Sequence, residues 1–108
     1  MKSLYIAGPI NGVKNYRERF EAAALAARAL GWAVLNPATL PVGLPNDRYL
    51  PTCLMMLNSA DAVMLLEGWE DSAGAMIEKL FAEYQGKEIL LQKYVVGNIP
   101  RAIRERRD

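Results

Sequence analysis

Four short apolar runs, residues 3–7, 32–35, 62–66 and 89–91, recur along the chain with helix-like segments between them. Each run is nearly continuous in hydrophobicity rather than alternating, which is the pattern of strands buried on both faces of a parallel sheet. Parallel neighbours need helical crossovers, and right-handed crossovers fold such a chain into a layered sandwich. The pattern therefore predicts an α/β protein, a small Rossmann-like or flavodoxin-like three-layer sandwich with a four- or five-stranded parallel sheet. Ligands of such sheets bind beyond the carboxyl ends of the strands, where the direction of winding reverses. The loops 8–14, 36–47 and 67–72 fall on that edge, whereas Asp61 precedes its strand and falls on the opposite one, in a structural position.

Local signals set the expected boundaries. Gly8-Pro9 ends the first strand, and Asn15 with Glu18 three residues on has capping-box spacing for a helix over 16–30. Phe20, Ala24, Ala27 and Leu30, with Leu25 beside them, form its apolar face, and Gly31 stops it. After Asn36-Pro37, a loop rich in proline and glycine leads to a helix over 48–60, where Pro51 is acceptable in a first turn. Leu50, Cys53, Leu54 and Leu57 make its apolar stripe, and the flanking Met55 and Met56 read as core or interface filler. A third helix over 73–85 is expected to bury Ile77, Leu80, Phe81 and Tyr84 and to end at Gly86. Residues 94–96 read as a ragged extension of the fourth strand, and residues 100–107 as a last short helix.

Composition narrows the function. A length of 108 residues suits one domain, residues 1–108, with 97–108 as a peripheral tail. No apolar run approaches the roughly 20 residues of a membrane span, and the start of the chain leads directly into a strand, so a cytoplasmic location is expected. Cys53 is the single cysteine and there is no histidine, which removes internal disulfides, cysteine clusters and the usual general base. No metal or cofactor is expected. The net charge of +1 does not support a nucleic-acid footprint, and the arginines of 101–108 read as a solvated terminal helix or a phosphate-binding arm. Chemistry in this chain must rest on carboxylates, tyrosines, hydroxyls or backbone amides.

Those groups converge in Gly68-Trp69-Glu70-Asp71-Ser72-Ala73-Gly74-Ala75-Met76-Ile77-Glu78, where the third strand passes through a tight loop into a helix. Ser72 is placed to cap that helix, and Ala73, Gly74 and Ala75 leave its first turn nearly bare. Glu78 lies four residues after Gly74, on the same helix face. Two readings follow from spacing alone: a carboxylate over a glycine shelf at the mouth of the loop, or a charged side chain on a wet helix face.

Tyr5-Ile6-Ala7-Gly8-Pro9, Ser59-Ala60-Asp61-Ala62-Val63 and Ser72-x-Gly74-x-x-x-Glu78 together resemble the nucleoside 2-deoxyribosyltransferase superfamily, which includes 2'-deoxynucleoside 5'-phosphate N-hydrolases. The likeness spans roughly residues 3–92 and is closer to short uncharacterised members that share Gly-Pro, Asn-Pro and Gly-Trp-Glu-x-Ser-x-Gly-Ala. The resemblance implies that Glu78 attacks the anomeric carbon of a deoxyribose, forming a glycosyl ester that water or a second base resolves. It implies that Tyr5 orients Glu78, the alternative being a core aromatic with its hydroxyl at the rim. Ser72, Ala73 and Gly74 would face a ribose hydroxyl or 5'-phosphate, with Gly8, Pro9 and Asn11 on the opposite side. Trp69 would stack on a base or sugar, or cap the core. The implied partner is a nucleoside or nucleotide, and the implied assembly is a homodimer or larger homo-oligomer.

Two departures from the resembled pattern bear on activity. Pro9 stands where the N-hydrolases carry a serine and supplies neither a hydroxyl nor an N–H. Cys53 stands where the superfamily has an aspartate that helps protonate the leaving base, and it also fits the apolar stripe as a buried, inert thiol. Asp47, Glu67, Glu70 and Asp71 are the loop carboxylates able to replace that acid. The alternatives to an N-glycosidase or deoxyribosyltransferase are therefore a nucleotide-sensing domain that retains the pocket with little or no turnover, and a small scaffold protein with no ligand.

Overall fold

A computed structural model of the chain describes residues 1–97. It contains β1 (Ser3–Ala7), α1 (Tyr16–Ala29), β2 (Ala33–Leu35), α2 (Asn46–Asn58), β3 (Ala62–Leu65), α3 (Ala73–Tyr84), β4 (Glu88–Leu91) and α4 (Gln92–Gly97). All strand pairs are parallel and the four strands lie in the order β2-β1-β3-β4. The chain moves from β1 outward to β2, then returns to the other side of β1 and continues through β3 to β4. With crossovers of one hand, that reversal places the helices on opposite faces of the sheet. The expected three-layer sandwich is the structure observed, with four strands among the described residues.

Each central strand feeds two cores because successive side chains point to opposite faces. Leu4, Ile6, Ala62, Met64 and Leu66 pack beneath α1, against Phe20, Ala23, Ala24 and Ala27, and are joined by Val95 of α4. Tyr5, Ala7, Val63 and Leu65 pack beneath α2 and α3, against Cys53, Leu57 and Ala82. Burying a side chain the size of Phe20 contributes about 1.5–3 kcal/mol. The edge opposite the ligand end is pinned by Asp61, whose Oδ2 accepts from the Ser3 amide at 2.8 Å and the Ser3 hydroxyl at 3.1 Å. Asp61 is structural, as its place before β3 predicts. No described helix is long and apolar enough to cross a membrane.

Several local expectations are corrected. Asn15 precedes α1 but makes no side-chain cap bond, so no capping box forms with Glu18. Leu25 and Leu30 are exposed, because the buried face of α1 runs through Phe20, Ala23, Ala24 and Ala27. A turn of 3₁₀ helix, Pro37–Thr39, interrupts the loop after β2, with Asn36 Oδ1 accepting from the Ala38 amide at 2.9 Å. α2 begins at Asn46, two residues early, so Pro51 lies in its second turn rather than its first. Residues 94–96 belong to α4 rather than to a strand: Gln92 Oε1 accepts from the Glu67 amide at 2.9 Å, and the chain turns there to bury Val95. Residues 100–107 and the basic tail from Arg101 lie outside the described residues.

The largest correction concerns α3. Ile77, Leu80 and Tyr84 are exposed, Tyr84 at 91%, and only Phe81 of the expected face is half-buried. The helix instead turns Ala75, Glu78 and Ala82 inward. Two small residues, one helical turn either side of Glu78, let α3 lie close to the sheet and bring the carboxyl with it.

Gly8 has a steric reason at the end of β1. A Cβ there would sit 2.9 Å from Leu66 Cβ, closer than side chains tolerate. Gly8→Ala is expected to destabilise the fold by about 1–3 kcal/mol, as overpacked cores do. Urea unfolding of the variant beside the parent measures this, and an unchanged midpoint would mean that Leu66 yields freely.

Candidate active site

A cleft of about 850 Å³ opens over the carboxyl ends of β1 and β3, at the point where the winding reverses. Its floor is Tyr5 on the central strand. One wall is the loop from Gly8 to Lys14, another is the segment from Pro41 to Cys53, and the third is the start of α3. Tyr5, Gly8, Pro9, Asn11, Ser72, Ala73, Gly74 and Glu78 all line it, so eight of the nine residues singled out in the sequence are brought together. Trp69 is not among the lining residues. It packs half-buried on the core beneath α2 and α3, with Lys79 Nζ 5.5 Å from the centre of its ring, which is the core-capping alternative.

The start of α3 is built as its sequence suggests. Gly68 adopts φ +90°, a conformation costly for any side-chain-bearing residue, and turns the chain after β3 into the 3₁₀ turn Trp69–Asp71. The Ser72 hydroxyl then accepts from the Ala75 amide at 3.2 Å. The amides of Ala73 and Gly74 belong to the first turn and have no intrahelical acceptors. A Cβ on Gly74 would meet nothing within 4 Å, so this glycine answers no packing demand among the described residues. Alanine would favour the helix by up to about 1 kcal/mol, and the space over Gly74 is left to the cleft. Across the loop, Arg19 Nη2 donates to the Glu67 carbonyl at 3.0 Å and ties the loop to α1.

At the centre, the Tyr5 phenol donates to Glu78 Oε2. Glu78 is 6% exposed, so of the two readings open in the sequence the wet helix face is excluded. Loss of hydration on burial pushes its pKa up to about 7, while the Tyr5 hydrogen bond opposes that rise. Burial, reinforced by the charge of Glu78, pushes the Tyr5 phenol well above its ordinary value, so it keeps its proton and serves as a donor. Near neutral pH the carboxyl is therefore divided between its two protonation states, and the ionised form is a poorly solvated carboxylate.

Cys53 lines the cleft close to these groups and is raised by burial, with the Tyr5 phenol as the largest opposing influence. That state is the inert thiol rather than the thiolate. Among the lining residues Glu78 is the single carboxylate and Lys14 the single cation; Asp47, Glu67, Glu70 and Asp71 all lie off the cleft. Among the described residues no group of three or more His, Cys, Asp or Glu side chains could hold a metal ion. Sequence reasoning missed Tyr49, whose ring lines the cleft and whose hydroxyl donates to the Pro37 carbonyl at 3.2 Å. Its signal was the four-residue spacing to Cys53, which puts both on one face of α2.

A parallel α/β sandwich with a buried carboxyl–phenol pair in its switch-point cleft is the class these observations define. Within it the chain belongs to the family described as Domain of unknown function (DUF4406), whose model matches residues 2–91, from β1 to the end of β4 and across every residue of the cleft. No curated protein matches the chain.

Because the folded-state pKa of Glu78 lies above its unfolded value, its protonation contributes stability fully below about pH 4.5, and this is lost as pH rises through about 7. A shift of that size corresponds to roughly 3 kcal/mol at most. Glu78→Gln, which keeps an acceptor for Tyr5 but cannot ionise, is expected to raise the melting temperature at pH 8 and to change it little at pH 4. Thermal unfolding across that range decides, and a variant equally stabilised at both pH values contradicts the assignment.

Proposed function

We propose that the cleft binds a nucleoside or nucleotide and that Glu78 breaks its N-glycosidic bond through a covalent glycosyl intermediate. The observation that carries this reading is the pairing of a buried, cleft-facing carboxyl with a phenol that holds one of its oxygens. A carboxylate so held is aimed and weakly hydrated, which suits attack on an anomeric carbon as positive charge develops there. The bare first turn of α3, with free amides and the space over Gly74, suits the hydroxyls or phosphate of the sugar. Water or a second base then resolves the ester, giving hydrolysis or transfer.

A nucleotide-sensing domain without turnover is the second reading, favoured by the lack of a second carboxylate in the cleft among the described residues. Incubation with the common 2'-deoxynucleosides and their 5'-monophosphates separates the two when base release and thermal shift are read together. Release of free base is expected, abolished in Glu78→Ala, with a rate in the parent that rises with pH around 7 as the carboxyl ionises. Stabilisation without release over long incubation selects the sensing domain, and neither response rejects both readings.

The resemblance also supports a homodimer or larger assembly. Met55, Leu80 and Tyr84 leave apolar surface on α2 and α3 that a second copy would cover. Light scattering is expected to give at least twice the chain mass, and Leu80→Glu to lower it; a parent protein that is monomeric at micromolar concentration rejects the assembly.

A further inference from the structure

We propose that the Tyr49 hydroxyl is the hydrogen-bond donor that receives the departing base. The inference rests on the glycosidic reading above and identifies the group that does the work of the missing second acid. When the bond to the sugar breaks, its electron pair stays on the ring nitrogen of the base, and a donor must stabilise that charge. The cleft lining offers few. The Tyr5 proton is committed to Glu78 Oε2, and the Cys53 thiol is a weak donor. Tyr16 packs edge-on against Phe20 in the layer beneath α1, Asn11, Lys14 and Asn46 stand exposed on the rim, and Ser72 is engaged as the cap of α3.

Tyr49 has the required position. It is half-buried, lies one helical turn before Cys53, and lines the cleft together with Cys53 and Glu78. Its bond to the Pro37 carbonyl, at 3.2 Å, is long for a hydroxyl donor, whose usual distance is about 2.7–2.8 Å. A charged acceptor within reach would take that proton in preference to the carbonyl. Burial holds the phenol above its ordinary pKa, so Tyr49 donates a hydrogen bond without giving up the proton.

The step balances as follows. A Glu78 carboxylate oxygen forms a bond to the anomeric carbon while the bond from carbon to base nitrogen breaks. The released pair is carried by the base, whose ring nitrogen or exocyclic oxygen accepts from Tyr49. Water supplies the proton that neutralises the base, and hydrolysis of the glycosyl ester returns a proton to solvent and the carboxylate to Glu78.

The test compares two substrate types in the parent, Tyr49→Phe and Glu78→Gln: natural 2'-deoxynucleosides, and 4-nitrophenyl 2-deoxyriboside, whose leaving group needs no assistance. Tyr49→Phe is expected to slow release of natural bases by about 10²-fold, the usual loss for one such donor, and to leave nitrophenol release within about threefold of the parent. Equal losses on both substrates would mean that Tyr49 only shapes the loop, and no loss on either would also overturn the proposal. Glu78→Gln must abolish both releases; if it does not, the glycosidic reading itself fails whatever Tyr49 does. Should Tyr49→Phe unfold, 3-fluorotyrosine at position 49, a stronger donor on the same ring, is expected to accelerate natural-base release a few-fold, and an unchanged rate overturns the proposal.

Discussion

The hydrogen bond from Tyr5 to Glu78 joins the middle of the central strand to the second turn of α3, and both partners lie inside the protein. A carboxyl taken out of water is costly unless it is bonded or neutral, and here the fold uses both remedies. The contact also accounts for the orientation of α3. With Glu78 turned inward, its helical neighbours in the buried row are Ala75 and Ala82, and Ile77, Leu80 and Tyr84 are carried round to the surface. The helix gives up the burial of three large apolar side chains in favour of one polar contact. Such an exchange is expected at a functional site rather than in a scaffold, where consistency between local pattern and burial is the rule.

The cleft has an unusual electrostatic character for its size. One cation and one carboxyl line it, and the carboxyl titrates near neutrality. Its remaining polar groups are phenols, a thiol, a hydroxyl and amides. A site of that kind recognises a ligand mainly by hydrogen bonding and shape. The contrast between Gly8 and Gly74, two of its four lining glycines, fits that view. Gly8 is forced by Leu66 and belongs to the packing, whereas the space at Gly74 is filled by none of the described residues.

The sheet was legible because its strands are continuous apolar runs, a pattern with few alternative folds at this length. The start of α3 was legible because a serine cap acts locally, through the Ala75 amide. What escaped the sequence depends on contacts between distant segments. The rotation of α3 departs from its apolar pattern because the inward face is set by Tyr5, 73 residues away. The end of β4 was misjudged because Val95 and Val96 favour strands, whereas the Gln92 bond to the Glu67 amide ends the pairing at Leu91. Tyr49 escaped for a different reason: an aromatic residue on an apolar helix stripe looks the same whether it fills a core or lines a cleft.

Tyr5 pairs in register with Leu35 on one side and Val63 on the other, so its backbone is clamped by both neighbouring strands. Such a position exchanges its amide hydrogen only when the whole molecule opens, whereas loops and chain ends breathe far more often. The floor of the cleft is thus anchored to a strand paired on both sides, and one stretch of its wall, from Pro41 to Leu44, hangs from ordinary loop. Geometry at the Tyr5–Glu78 end would persist through fluctuations that reshape the far wall, leaving room for molecules that share one end and differ at the other.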